Sequence, residues 1–215
     1  MKKYFRVFAA SVAVVMSMAL IAGCSKKPAV TPDQYLTFFL DLAVKNQIGD
    51  AKKLGIPDSE VKKLTDEIDK QYESIAASDS SGLDKESSNK LIESAKKGIA
   101  KVKYNIKTVE SDNKSAKVEM TVYPVVIDEA DLTPEKLITQ DEIKQLAKEY
   151  TDEATLEKKA QDLALDKVCK YFENPKISDE AKTITVELKV EKGEWKEVNE
   201  GELGSFIENS LYITK

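Results

Sequence analysis

The sequence predicts an α+β fold: a curved antiparallel sheet of about four strands, helices packed on one face, cone-like, with a helical insertion between strand pairs. Three observations carry that prediction. Apolar residues recur at helical spacing before residue 100 and again over 133–172. The period changes to two over 102–127 and over 184–198. Two turn signals, Ser111-Asp112-Asn113-Lys114-Ser115 and Lys192-Gly193, sit where hairpins must reverse.

Taken in order, the first helix opens at Thr31-Pro32-Asp33-Gln34, which offers a capping box with proline at the first helical position. Tyr35, Phe38, Phe39 and Leu42 mark its apolar stripe, and Gly49 with Gly55-Ile56-Pro57 ends it. A second helix starts near Asp58 or Ser59, with Val61, Leu64, Ile68, Tyr72 and Ile75 along one side. A third, from about Lys85, turns Leu91, Ile92, Ala95 and Ile99 inward. Between them, Ser78 to Gly82 reads as a loop.

Val102, Tyr104 and Ile106 then alternate with lysine and asparagine, and Val118, Met120 and Val122 do the same after the turn. That pattern is an antiparallel hairpin with one buried face. At Tyr123-Pro124 the apolar phase slips by one residue, so Val125 and Ile127 take the inward parity and a bulge or bend is expected. Thr133-Pro134-Glu135 caps a helical region marked by Leu137, Ile143, Leu146 and Tyr150. A longer helix follows from about Asp152 to Phe172, closed by Asn174-Pro175. Ile184, Val186, Leu188 and Val190 make a strand, Trp195–Val198 a short one, and Leu203, Phe206, Ile207 and Leu211 a terminal helical stripe.

Composition excludes several chemistries. Among 215 residues there are 33 basic and 38 acidic side chains, two cysteines and no histidine. Arg6 is the one arginine. No Ser/His/Asp triad, Cys/His dyad or imidazole metal site can be built. Lysines scattered among acids, at a net charge of −5, make no nucleic-acid grip.

The N-terminus speaks for location. Residues 1–6 carry three positive charges, and Val7 to Ala22 carry none of either sign. That is the basic-then-apolar layout of a secretory signal, shorter than the ~20 residues a spanning helix needs. The alternative is an uncleaved membrane helix with an incidental cysteine. The stretch ends in Ile21-Ala22-Gly23-Cys24, which resembles a bacterial lipobox. The resemblance implies cleavage before Cys24 and a diacylglyceryl group on its sulfur. The expected organisation is a signal peptide over 1–23, a lipidated N-terminus and tether over 24–31, and a single domain over 32–215. Cleavage would remove Lys2, Lys3 and Arg6 and no acid, so a net charge of −5 becomes −8. The expected location is the extracytoplasmic face of the cell membrane, with Lys26 and Lys27 at the headgroups.

The order of elements resembles the cone-shaped fold of nuclear transport factor two and its relatives. The closing Lys192-Gly193-Glu194-Trp195-Lys196-Glu197-Val198, with tryptophan just after the last tight turn, is similar to the ending of that group's bacterial lipoproteins. More narrowly, residues 30–210 resemble an uncharacterised family of Gram-positive lipoproteins whose domain has no assigned function. The enzymatic relatives use histidine, which this chain lacks.

Candidate chemistry is sparse. Cys169 is the one thiol left after lipidation, flanked by Lys167 and Lys170, and a packed structural cysteine is the commoner fate. Asp128, Glu129 and Asp131 follow a strand, but neither they nor the acids at 79–84 match the spacing of a calcium loop. The paired lysines 62–63, 96–97 and 158–159 alternate with acids and read as solvated helix faces. Trp195, Tyr104 and Tyr123 are candidates to line a pocket between sheet and helices. No metal or cofactor is expected. Three uses remain: a non-catalytic module for an envelope protein, peptide or small apolar ligand; a small pocket enzyme using carboxylate, tyrosine or lysine; or a structural accessory. Convergent buried polar groups would favour chemistry, an apolar hollow a ligand, and a filled interior a protein partner or scaffold.

Overall fold

The computed structural model describes residues 28–45, 83–215 and part of 58–70. Helix α1 (Pro32–Lys45) is followed by α2 (Lys85–Ile99). Strands β1 (Lys103–Ser111), β2 (Ser115–Tyr123) and β3 (Val125–Ile127) come next, then a short 3-10 turn (Glu129–Leu132). Three helices follow, α3 (Pro134–Leu137), α4 (Gln140–Glu149) and α5 (Glu153–Glu173). The chain closes with β4 (Lys176–Ile177), β5 (Lys182–Glu191), β6 (Glu194–Glu197), α6 (Glu202–Ser210) and β7 (Tyr212–Thr214).

The main sheet has the order β1-β2-β5-β6 and is antiparallel throughout. Its register follows the alternation in the sequence, with Ile106 opposite Met120 and Met120 opposite Ile184. Val118, Met120 and Val122 are all fully buried, which the period-two pattern demands of one face. The bend falls elsewhere than expected. The register of the first hairpin shifts between Thr108 and Glu110, in β1. At Pro124 the chain leaves the main sheet altogether.

Strand β3 belongs to a second sheet of order β4-β3-β7, in which β3 runs antiparallel to β4 and parallel to β7. Proline has no N–H to continue the first ladder, and its carbonyl accepts from Ser178 N at 2.8 Å. The fold is therefore α+β as predicted, with a second, mixed sheet added. Neither sheet closes into a barrel.

The β5–β6 reversal takes two residues, Lys192 (φ 54°) and Gly193 (φ 84°), both left-handed, as a right-twisted hairpin requires. The other hairpin turns on Asp112, whose Oδ1 accepts from Lys114 N and Ser115 N, each at 2.7 Å. Because Val190 N donates to Lys114 O at 2.7 Å, both turns lie at the same end of the sheet. Residues 124–181 leave and rejoin at the other end, where Val122 faces Lys182.

Helix α1 is buried on more sides than a single stripe would give. Leu36 and Leu40 are as inaccessible as Phe38, Phe39 and Leu42. The expected helix at 133–150 is broken into α3 and α4, because Thr139 starts a new capping box with Glu142. Of the expected second helix, Val61 is buried on a helical turn, while Leu64, Ile68, Tyr72 and Ile75 lie outside the described residues, as do Gly49, 55–57 and 78–82. Helices α2 and α5 pack side by side, flanked by Lys97–Glu173 at 2.8 Å and a short Lys90–Asp166 pair.

Candidate functional site

Between the main sheet and the helices the described residues form a buried core. Met120, Leu188 and Val186 meet Leu36, Leu40, Ile99, Leu203 and Ile207 there, each at most 1% exposed. Trp195 is 5% exposed and part of this core rather than the lining of a cavity. Tyr123 stands on the opposite face of β2 from Met120 and Val122, so it faces away from the helices. The pocket expected from Trp195, Tyr104 and Tyr123 is thus not assembled by those three residues.

Tyr104 instead joins a polar cluster with α1. Lys45 Nζ donates to Tyr104 OH at 2.7 Å and pairs with Asp41 at 2.7 Å, while the phenol donates to Asp41. One turn from the start of α1, Thr108 Oγ1 donates to Asp33 at 3.0 Å. This is a carboxylate, a lysine and a tyrosine in one place, the triad that an enzymatic reading needs. Burial and the bond to Asp41 raise the tyrosine above its ordinary value. Burial works to lower Lys45, but its bonds to Asp41 and Tyr104 outweigh that and leave it raised. Phenol and ammonium are thus both held in their protonated forms. The cluster clamps α1 to β1. The sequence held a faint signal for it, an Asp/Lys pair at i,i+4 and a tyrosine of inward parity.

A second polar group gathers at β6. Trp195 Nε1 donates to the Val30 carbonyl at 2.9 Å. Glu197 accepts from Leu203 N at 3.2 Å, so it caps α6, whose first position is a glycine without a side-chain cap. Burial raises Glu197, against the opposing pull of that backbone bond. Tyr35 is raised as well, by burial and by the nearby Glu197 and Glu194.

The remaining candidates resolve individually. Cys169 is 4% exposed and packed in the core. Its neighbour Lys167 is paired with Glu142 at 2.6 Å. Asp128 caps the 3-10 turn through Ala130 N at 3.0 Å, Asp131 binds Lys136 at 2.8 Å, and Asp128 N donates to Tyr171 OH at 2.8 Å. Among the described residues no group of histidine, cysteine or acid side chains is placed to hold a metal ion. Lys96 bridges Glu93 at 2.8 Å and Asp69 at 3.7 Å, and Lys62, Lys158 and Lys159 are exposed among acids. Ile21, Ala22, Gly23 and Cys24 lie outside the described residues.

A shallow hollow of about 350 Å³ opens on the solvent face of the sheet. Its floor is one row across the strands, in which Glu110 faces Lys117 and Lys117 faces Glu187. Val198, 44% exposed, stands at its side. The Lys117–Glu110 pair closes at 3.1 Å. The hollow is open to solvent, and its lining mixes charged side chains with Ala116, Leu188 and Val198.

Among the described residues no helix is long and apolar enough to cross a membrane. A family model described as a domain of unknown function (DUF5105) matches residues 25–205. No curated protein matches the chain. Among solved structures, it is similar to the crystal structure of "a putative lipoprotein (ycdA)" from Bacillus subtilis, at 19% identity and a TM-score of 0.54. The match covers 87% of this chain and 57% of the Bacillus chain, so this protein corresponds to little more than half of that one. At that identity the likeness establishes a shared fold.

Proposed function

The chain belongs to the DUF5105 family, and from that premise we propose that it is an extracytoplasmic lipoprotein, anchored through Cys24, whose domain binds another envelope protein without catalysing a reaction. The buried core carries this reading. A domain whose described sheet-facing and helix-facing residues pack into one buried core presents its function on its surface. The Asp41–Lys45–Tyr104 cluster supports it too, being held in protonation states that lock helix to strand. The main sheet reads as a filled variant of the nuclear transport factor two cone. The Bacillus protein's description as a lipoprotein agrees with the Ile21–Cys24 sequence.

Crosslinking the lipidated chain on intact cells, followed by mass spectrometry, tests the proposal. One envelope protein should be enriched reproducibly, and Lys117→Glu in the surface hollow should weaken that capture severalfold. Failure to enrich any envelope protein, together with ligand-dependent stabilisation in a metabolite screen, would reject it.

A further inference from the structure

We propose that the end of the main sheet carrying its two hairpin turns is the membrane-facing surface of the domain, and that Lys114 and Lys192 there meet anionic lipid headgroups. This rests on the lipid anchorage proposed above. Three observations lead to it.

The first is where the described chain begins. Val30 is held to Trp195 by the indole bond at 2.9 Å, and Trp195 pairs with Val190 within two residues of the Lys192-Gly193 turn. The N-terminal segment therefore joins the domain at the hairpin end.

The second is length. Five residues separate Cys24 from Val30, and the six steps between them, at no more than ~3.6 Å each, span about 20 Å. The nine-residue strands β1 and β2 extend about 30 Å. An acylated Cys24 so brings the hairpin end nearest to the bilayer, while the opposite end lies beyond the tether's own reach.

The third is the exposure of two lysines at that end. Lys114 and Lys192 sit exposed, one on each turn. The acids of the same end keep their charge, and Asp112 and Glu194 lie close enough to act on Lys114 and Lys192. Asp112 accepts from Lys114 N, Ser115 N and Ser115 Oγ. Glu191 is bracketed by Lys189 at 2.8 Å and Lys196 at 3.7 Å. Glu110 is paired with Lys117, and Glu197 caps α6. Glu194 is half-buried opposite Glu191, and Glu187 lies one row further in, opposite Lys117. Lys114 and Lys192 thus stand exposed on a rim of mixed charge, and Lys26 and Lys27 precede it in the tether. Each lysine at an anionic surface strengthens association by about fivefold.

The test uses the full lipidated protein reconstituted into vesicles of phosphatidylglycerol and phosphatidylcholine. Fluorescent labels go on Lys114→Cys, Lys192→Cys and, at the opposite end, Glu180→Cys, in a Cys169→Ala background. Energy transfer to a headgroup dye should be severalfold stronger from positions 114 and 192 than from 180. That contrast should shrink in pure phosphatidylcholine and in the unlabelled-tip variant Lys114→Glu/Lys192→Glu labelled elsewhere on the sheet end at Asn113→Cys. Equal transfer from both ends, or stronger transfer from 180, overturns the orientation. A contrast indifferent to lipid charge and to the glutamates overturns the headgroup contact. Should the wild-type chain and Cys24→Ala partition alike into the aqueous phase in cells, the anchorage itself has failed and the orientation falls with it. An anchored chain with equal transfer removes the orientation alone.

Discussion

Gly98 of α2 lies directly against the Phe172 carbonyl of α5, so close that a β-carbon on Gly98 would stand 2.0 Å from that oxygen. The obstacle is backbone, which cannot swing aside as a side-chain tip would. Gly98→Ala would gain up to ~1 kcal/mol of helix propensity at an open site. Here it must force α2 and α5 apart, and overpacking of this kind costs ~1–3 kcal/mol. We expect a lower urea midpoint with an unchanged slope; a midpoint equal to wild type would show that the two helices separate freely.

Removing the indole donor should loosen the N-terminal segment and little else. Trp195→Phe keeps the aromatic bulk but leaves the Val30 carbonyl without the indole N–H. The expected loss is ~1 kcal/mol. Limited proteolysis of the mature chain should cut within 25–31 several times faster than in wild type. Unchanged cleavage would mean that Val30 is held by other contacts.

Glu142 makes the fold acid-sensitive. Lys167 together with the Thr139 backbone and hydroxyl lowers its carboxyl from 4.5 to about 2. A depressed carboxylate stabilises the folded state above its unfolded value, and that stabilisation fades as pH falls from about 4.5 towards 2. Glu142→Gln should flatten the pH dependence of the thermal midpoint across that window. A curve parallel to wild type would contradict the assignment.

Glu197 has the opposite sign. Burial raises its carboxyl, so ionising it costs stability as pH climbs from its unfolded value through its folded one. Glu197→Gln retains an oxygen to accept from Leu203 N and removes the charge. Relative to wild type it should therefore be more stable at pH 7 than at pH 4, by differential scanning calorimetry. A uniform offset at both values would show that the cap alone matters.

The long elements were legible because each repeats its signal. Val118, Met120 and Val122 declare an inward face three times, and α5 ends within a residue of its expected place. Strands β4 and β7, of two and three residues, are too short to show a period, so the second sheet was invisible. The phase slip at Tyr123-Pro124 was seen but misread, since a bend and a change of sheet leave the same trace in the sequence. Lys45, Asp41 and Tyr104 are separated by about sixty residues, and no local pattern announces that α1 will lie along β1. Cys169 is buried, Asp128 caps a turn and Asp131 pairs with Lys136, which is what such residues most often do.

The bond from Trp195 to Val30 spans 165 residues of sequence. A ribosome therefore finishes the seat of the N-terminal segment only near the end of synthesis, and parallel pairing of β7 with β3 waits longer still. For nearly the whole time that the chain is being made, Val30 is without its indole partner.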